Sequence, residues 1–292
     1  MPFDHVGDLQ MYWEEHGTGD PVLFINGTAG DLRLIGQLHA HPLSRWFDVL
    51  FYDQRGLGQT SIPDGPYSMQ QYGDDAARLI EHIGWERCHV VGVSFGGMVA
   101  QELALRHPHL VDRLVLCCTS SGGEGGSSFE LLQLEYLPRN EALARRVAVF
   151  DSRNDTTTEP WTIAPGMELP VQLMRSAPAP SPEAAKGARL QLEARAFHDT
   201  WDRLPAFEHP TLVIGGRFDG QAHPPTSNGL PTAFPTPSCT SAMAATSSCF
   251  RIQVPGQRSS RSYVARSQDV MRMAKSSESV KIASRSGAPV QK

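Results

Sequence analysis

The residues Gly92-Val93-Ser94-Phe95-Gly96-Gly97 decide how the rest of the sequence is interpreted. They follow an apolar, β-branched run at 89–93 and precede a helix-forming stretch at 98–106. A serine at a sharp strand-to-helix turn between small residues projects its hydroxyl, and the helix amino terminus favours negative charge that develops beside it. The segment therefore predicts that Ser94 is a nucleophile; an ordinary structural turn is the alternative.

The sequence on both sides of this turn predicts an α/β fold. As far as about residue 222, short apolar runs alternate with helical stretches, as in a mostly parallel sheet with helices on both faces. The strands from residue 22 onward are nearly continuous in apolar residues, which is typical of burial on both faces. The predicted strands span 9–14, 22–25, 49–52, 89–93, 113–117 and 211–214, and an amphipathic helix is predicted at 69–83.

Residues 122–204 interrupt this alternation. They open with glycines and serines and then carry helical segments at 129–136, 141–150 and 182–197, which are separated by prolines. A helical excursion between two parallel strands predicts a cap over the carboxyl edge of the sheet, where such caps shape substrate pockets. An independent second domain is the alternative.

Together these motifs resemble the α/β-hydrolase superfamily, in its esterase and lactonase branch. Asn26-Gly27-Thr28-Ala29-Gly30 is similar to the family's oxyanion loop, with asparagine where histidine is usual. By position, the resemblance implies that the N–H groups of Thr28 and Phe95 hold the oxyanion. Asp53-Gln54-Arg55-Gly56-Leu57-Gly58-Gln59-Thr60 resembles a supporting loop of the family, in which we expect Asp53 and Arg55 to pair and brace the site.

The same resemblance implies where the acid and the base belong. The family's chain order is serine, acid, histidine, and Asp219 follows the predicted strand 211–214 as the acid should. It would hold the tautomer of the histidine. After Asp219, however, the only histidine is His223, which lies beside two prolines with no later strand to place it. His198 and His209 precede the acid, and either one could act as a substitute.

The composition changes abruptly where the histidine is missing. Residues 223–292 contain nine Lys and Arg and two Asp and Glu, a net charge of +7 in a chain whose total is −5. The tail is rich in serine, proline and threonine and shows no regular period. We therefore divide the chain into a first part of the core (1–121), a cap (122–204), a return to the core with the acid loop (205–222) and an aberrant tail (223–292) expected to be disordered. The family's last strand and helix are expected to be missing.

A lost base near Ala222 would explain the change. In the alternative frame, each codon joins the last base of one residue's codon to the first two bases of the next. Met243 has only the codon ATG, and every alanine codon begins with GC. The overlapping codon formed from Met243 and Ala244 is therefore GGC, which encodes glycine. The overlapping codons from 242 to 246 together permit the string D-G-G-H. In the family this string carries the catalytic histidine. We interpret residues after about 222 as read out of frame.

Other features of the sequence limit the function class. The net charge gives no reason to expect a nucleic-acid partner, and no apolar run reaches the length of a membrane span. The first residues lack the charged-then-apolar order of a signal peptide, so we do not expect one. The five cysteines show no metal-like spacing and are interpreted as core thiols of a reduced cytoplasm. The resemblance implies no cofactor.

The leading interpretation is a serine hydrolase of carboxylic esters or lactones, similar to the 3-oxoadipate enol-lactonases, which is inactive as written because its histidine is absent. A peptidase branch is less well matched, and dehalogenases carry aspartate where Ser94 stands. The alternative from another class is a non-catalytic scaffold that binds a small molecule. A third interpretation, an interaction protein that acts through its tail, is supported only by the basic charge of that tail. The sequence does not fix the oligomeric state.

Overall fold

The computed structural model describes residues 3–35, 38–151, 153, 156–157, 161–164, 167–169, 179–215, 219–222, 248–252 and 261–265. The strands of its main sheet are β1 Phe3–Val6, β2 Leu9–Gly17, β3 Asp20–Ile25, β4 Phe47–Tyr52, β5 Cys88–Val93, β6 Val111–Cys117, β9 Thr211–Ile214, β10 Ser248–Ile252 and β11 Arg261–Ala265. Their order in the sheet is β1-β2-β4-β3-β5-β6-β9-β10-β11, and β3, β4, β5, β6 and β9 run parallel. The mostly parallel sheet is therefore confirmed.

Apolar side chains cover both faces of this sheet. Alternate residues of β3 and β4 belong to two separate buried clusters, because successive side chains of a strand point to opposite faces. One cluster includes residues of α2 (Met69–Ile83) and α3 (Phe95–Arg106), and the other includes Leu32 of α1 (Leu32–Ile35). Helices thus lie on both faces, as the sequence predicts.

The helix predicted at 69–83 has those bounds in the structure because both of its ends are capped. The Ser68 hydroxyl accepts the N–H of Gln71, and the Gln71 side chain accepts the N–H of Ser68. At the other end Gly84 has φ 84°, the left-handed conformation that ends a helix. α2 packs against α3 through Tyr72, whose ring meets Phe95 edge to face at 5.0 Å.

The segment predicted as a cap contains a 3₁₀ helix at Leu131–Tyr136, α4 at Arg139–Phe150, a hairpin of β7 (Trp161–Ala164) and β8 (Met167–Leu169), and α5 at Pro182–Ala196. Leu131, Leu134 and Leu192 form its own buried cluster. α5 crosses onto the core: a side chain at Gly187 would collide with the carbonyl oxygen of Gly56. α5 consequently lies against the loop after β4, at the carboxyl edge of the sheet.

The structure departs from expectation at the far edge of the sheet. The tail was expected to be irregular, yet β10 and β11 lie in it, and β10 pairs antiparallel with β9. Among the described residues no parallel strand and no helix follows β9. All four residues of β9 are half-buried or exposed, and Val213 is 40% exposed, so this strand is covered less well than β3 to β6.

Two further expectations concern the whole chain. Cys88 and Cys117 are buried free thiols, as expected, but Cys118 is disulfide-bonded, so the interpretation of all the cysteines as core thiols is wrong for Cys118. Within the part of the chain that the structure describes, no helix combines the length and the apolar character needed to cross a membrane.

Candidate active site

Ser94 lies at the turn between β5 and α3 in a backbone conformation that few residues other than glycine adopt. Its φ is 54° and its ψ is −116°. The turn is held at both sides, because the Ser94 N–H donates to the Cys117 carbonyl at 2.8 Å and the Ser94 carbonyl accepts the N–H of Gly97 at 2.9 Å. Ser94 is half-buried at the carboxyl edge of the sheet.

The glycines around Ser94 are required by close approach of the backbone. A side chain at Gly92 would meet the backbone of Gly96, and one at Gly96 would meet the carbonyl oxygens of Ile25 and Asn26. Only glycine therefore lets α3 begin against the end of β3. Phe95 is the first residue of α3, so its N–H has no acceptor within the helix and is available at the turn.

The loop after β3 reaches this turn from the neighbouring strand. A Cβ built on Gly27 would lie 3.4 Å from the Cβ of Ser94, so the predicted oxyanion loop and Ser94 are adjacent. The loop is closed by the Gly30 N–H, which donates to the Gly27 carbonyl at 3.2 Å, and is held by Gln54, whose amide donates to the Asn26 carbonyl at 2.9 Å. Thr28 follows Gly27 directly.

The prediction that Asp53 and Arg55 pair with each other is wrong. Asp53 accepts the N–H groups of Leu32 and Gln59, both at 2.8 Å, and so fixes the loops on either side of it. Arg55 instead forms bidentate pairs with Asp75 on α2 and with Asp8, at 2.7 to 2.9 Å. Burial alone would lower the pKa of Arg55, but these hydrogen bonds outweigh it and the pKa is raised. Asp53 and Arg55 therefore each brace the loops around them, but through these partners and not through each other.

Asp219 also lies beyond the carboxyl edge of the sheet. It is buried, and its Oδ1 accepts the N–H groups of Gln221 and Ala222 at 2.8 and 3.0 Å. The loop is attached to the segment predicted as a cap, since the Phe129 N–H donates to the Gln221 carbonyl at 2.7 Å. β6 lies between β5 and β9, so the strands that carry Ser94 and Asp219 are about 10 Å apart. That separation leaves room for a bridging side chain.

The two candidate substitutes for the missing histidine differ in position. His209 precedes β9 and is at the amino edge, five residues from Ile214 and thus about 16 Å along the strand from the Ser94 edge. It is consequently at the wrong end of the sheet. His198 is close to the end of β6, where its Nε2 donates to the Ser120 carbonyl at 3.1 Å. Burial lowers the pKa of His198 to about 4, so it is neutral at physiological pH. His223 lies outside the described residues.

Sequence reasoning missed a row of polar side chains on α5. Gln191 and Arg195 lie one helical turn apart on α5, His198 follows two residues after the end of that helix, and all three side chains are buried. Gln191 Oε1 accepts the Ala29 N–H at 2.8 Å, which joins α5 to the predicted oxyanion loop. The spacing is visible in the sequence, but the contact joins positions 162 residues apart. Among the described residues, no cluster of three or more His, Cys, Asp or Glu could hold a metal ion.

Comparison with known proteins agrees with this geometry. The model of the alpha/beta hydrolase fold family matches residues 20–242. A Mycobacterium tuberculosis protein named as a non-heme bromoperoxidase is 30% identical over 225 residues, which are 71% of this chain and 79% of the relative. A 3-oxoadipate enol-lactonase of Acinetobacter baylyi is 27% identical over 214 residues, which are 73% and 77% of the two chains.

A third relative is matched over a shorter span. An Azorhizobium caulinodans protein named as a carbamate hydrolase is 34% identical over 116 residues, and the chain spans 43% of that protein's length. Among solved structures, the enol-lactonase of Burkholderia xenovorans LB400 superposes with a TM-score of 0.57 at 23% identity, over 76% of this chain and 84% of that one. At this level of identity the superposition shows a shared fold.

Proposed function

The chain belongs to the α/β-hydrolase fold family, and from this premise we propose that it is a serine hydrolase of carboxylic esters or lactones that lacks its base as written. That it is a hydrolase of this fold type follows from the family and its relatives. The observation that carries the finer proposal is the conformation of Ser94, with φ 54° at a turn built from glycines. A structural turn has no need to hold a serine in that conformation.

The proposed roles follow from position. Ser94 Oγ attacks the carbonyl carbon of the substrate, and the carbonyl oxygen becomes negatively charged. The N–H groups of Thr28 and Phe95 stabilise that oxyanion, because one follows the glycine beside Ser94 and the other begins α3. The leaving oxygen departs as an alcohol after taking up the proton that the Ser94 hydroxyl gives up, and an acyl group remains on Ser94. Water then attacks this acyl group, which leaves as the carboxylic acid and restores the hydroxyl of Ser94. The described residues of 122–204, above all those of α5, are proposed to form the cap over this site.

Asp219 is proposed as the acid that orients the histidine. It follows the strand predicted at 211–214, and its carboxylate fixes the loop by accepting two backbone N–H groups. In the chain as written no described histidine can bridge Asp219 and Ser94: His209 is at the other edge, and the Nε2 of His198 is bonded to a backbone carbonyl. Without a base, the hydroxyl of Ser94 stays protonated, and we expect turnover to be lower by several orders of magnitude.

A fluorophosphonate tests the site without requiring turnover. An oxyanion hole retains part of the rate enhancement after a triad residue is lost, so we expect slow but selective labelling of Ser94. The measurement is peptide mass spectrometry of the full chain and of Ser94→Ala over a time course. Labelling of Ser94 no faster than that of the exposed Ser127 would contradict the proposed nucleophile.

A non-catalytic scaffold that binds a small molecule is the second candidate, favoured by the absence of a bridging histidine among the described residues. The same time course separates the two. A scaffold would bind small esters with no adduct at Ser94 and no slow hydrolysis, whereas a disabled enzyme would form the adduct.

A further inference from the structure

The loop after β3 contains a strained residue. Ala29 has φ 57°, in the left-handed region that costs an L-residue free energy. The Gly30 N–H donates to the Gly27 carbonyl at 3.2 Å, so residues 27–30 form a tight turn with Ala29 at its third position. Thr28, at the second position, has no positive φ. A positive φ at the third position alone is characteristic of type II turns, where glycine or asparagine is favoured, so an alanine there has to be held from outside the turn.

α5 supplies a contact that holds this residue. Gln191 is fully buried, and its Oε1 accepts the Ala29 N–H at 2.8 Å although Ala29 itself is exposed. The other end of the same amide, Nε2, has no acceptor among the described residues. The bond to the turn is therefore made by the carbonyl oxygen of Gln191.

The position of Gln191 is set by the packing of α5. A side chain at Gly187 would collide with the carbonyl oxygen of Gly56, and one at Gly65 would collide with the side chain of Leu190, the residue before Gln191. α5 is thus in close contact with the loop after β4 on the turns that carry this acceptor. The carbonyl oxygen of Gln191 is consequently held by contacts that do not involve the turn at 27–30.

The turn and the proposed oxyanion donor share part of their backbone. The Gly27 carbonyl and the Thr28 N–H belong to one planar peptide unit, so the hydrogen bond that closes the turn also directs the Thr28 N–H. This unit is beside the nucleophile, since a Cβ built on Gly27 would lie 3.4 Å from the Cβ of Ser94. Relaxation of Ala29 to a negative φ would change the turn and rotate the Thr28 N–H relative to Ser94.

We propose that Gln191 is a positioning residue that acts through Ala29: it holds the strained turn and so keeps the Thr28 N–H directed at the oxyanion. This inference rests on the proposed function for the role of Thr28. The donor is set when α5 lies on the core, so the placement of this helix and the competence of the Ser94 turn are coupled.

The rate at which a fluorophosphonate labels Ser94 tests this role. Labelling at several probe concentrations gives the maximal rate and the concentration that produces half of it. Gln191→Met removes the acceptor and keeps the length of the side chain. We expect it to lower the maximal rate about tenfold or more, since outright loss of one oxyanion donor costs about a hundredfold or more. The half-maximal concentration should stay unchanged, because the oxyanion develops after the probe has bound. Gln191→Glu keeps an oxygen acceptor in either protonation state and should keep most of the rate.

Ala29→Gly separates positioning from packing. Glycine adopts φ 57° at little cost, so a turn with glycine at this position does not need the hold of Gln191. In the Ala29→Gly chain, Gln191→Met should therefore lower the labelling rate much less than it does alone. Arg189→Met is the matched control, because Arg189 is exposed on the same helix and paired with Glu193, and it should label like the unaltered chain. Equal losses with alanine and with glycine at position 29 would show that the methionine acts through the packing of α5 and would overturn the proposal. Undiminished labelling in Gln191→Met would overturn it as well.

Hydrogen exchange at the Ala29 amide distinguishes this inference from the hydrolase proposal. By NMR on the full chain we expect slow exchange, although the residue is exposed, and faster exchange in Gln191→Met. Fast exchange in the unaltered chain would overturn the inference even if the variants failed to fold and Ser94 were labelled as expected. Slow exchange that depends on Gln191, with no labelling of Ser94 in the unaltered chain, would instead remove the hydrolase proposal and leave the hold of Gln191 on the turn intact.

Discussion

At Ser94 the backbone holds φ 54° and ψ −116°, which costs an L-residue free energy and costs glycine little. We expect Ser94→Gly to raise the free energy of unfolding by about 1 kcal/mol, because relief of the strain exceeds the added entropy of the unfolded chain. Chemical denaturation measures this. Ser94→Ala is the control: it loses the same hydroxyl but keeps the Cβ, so its stability should stay close to that of the unaltered chain. Equal stabilities of the two variants would mean that the turn is not strained.

His198 predicts a dependence of stability on pH. Burial lowers its pKa from 6.5 to about 4, while in the unfolded chain the pKa returns to its ordinary value. The unfolded state therefore binds a proton more readily, so the stability present above about pH 6.5 is lost as the pH falls toward 4. The loss is on the order of 3 kcal/mol.

The measurement is the free energy of unfolding between those two pH values, for the unaltered chain and for His198→Gln. The glutamine amide can still donate to the Ser120 carbonyl but does not titrate. We expect the curve of the variant to fall less steeply. Burial also lowers the pKa of His41, His89 and His209, so some decline should remain. Parallel curves would show that His198 is not the source of the difference.

At the scale of residues, the sequence indicated the groups that local spacing controls. Ser94 could be found because its flanking glycines are required by backbone contact within a few positions and against the end of one strand. Gln191 and Arg195 could not be found in this way, because the groups that they contact lie in loops far away in the sequence. The partner of Arg55 was missed for the same reason, since Asp8 lies 47 residues away and Asp75 lies 20 away.

Among the elements, an ion pair between Arg203 and the buried Glu102 helps to join α3 to the segment after α5. Arg203 donates to both oxygens of Glu102 at 2.9 and 2.6 Å, and the Glu102 side chain is completely buried while that of Arg203 is 40% exposed. We expect Arg203→Met to lower the free energy of unfolding by about 3 kcal/mol, because it leaves a buried carboxylate without its partner. Thermal and chemical unfolding measure the loss.

The double variant Arg203→Met, Glu102→Gln distinguishes this cause from lost packing. If the unpaired charge is responsible, neutralising Glu102 should recover part of the stability. A double variant less stable than Arg203→Met alone would show that the arginine acts mainly through packing and that the carboxylate has other support.

The elements themselves were predicted well where their signals are local. The helix at 69–83 has its predicted bounds, since its caps lie at the ends of a regular apolar period. β1 was missed because three of its four residues are exposed and it pairs only with β2. The structure begins α3 at Phe95 instead of residue 98, because the turn glycines join the helix. Propensity disfavours glycine in a helix, and here the close approach to β3 overrides it.

For the whole molecule, the excess of positive charge in 223–292 and the poor cover of β9 point to the same place. A strand inside a doubly covered parallel sheet is expected to be buried, yet no residue of β9 is. This is the edge where the family's last parallel strand and helix are expected to pack, and the frame hypothesis places their coding sequence after Ala222. Apolar surface that is left exposed on this strand favours aggregation.

Insertion of one base at the codon of Ala222 therefore tests the frame hypothesis directly. We expect the resulting chain to encode D-G-G-H from the bases now read as residues 242–246, and to place that histidine between Asp219 and Ser94. Hydrolysis of p-nitrophenyl acetate should rise by about a thousandfold or more over the chain as written, since that is the scale of losing a triad residue. Ser94→Ala in the restored chain should abolish the gain, and size-exclusion chromatography should show less aggregate. A restored chain that is well folded yet no more active would contradict the frame hypothesis and the assignment of Asp219 together, and would leave the binding scaffold as the better account of this molecule.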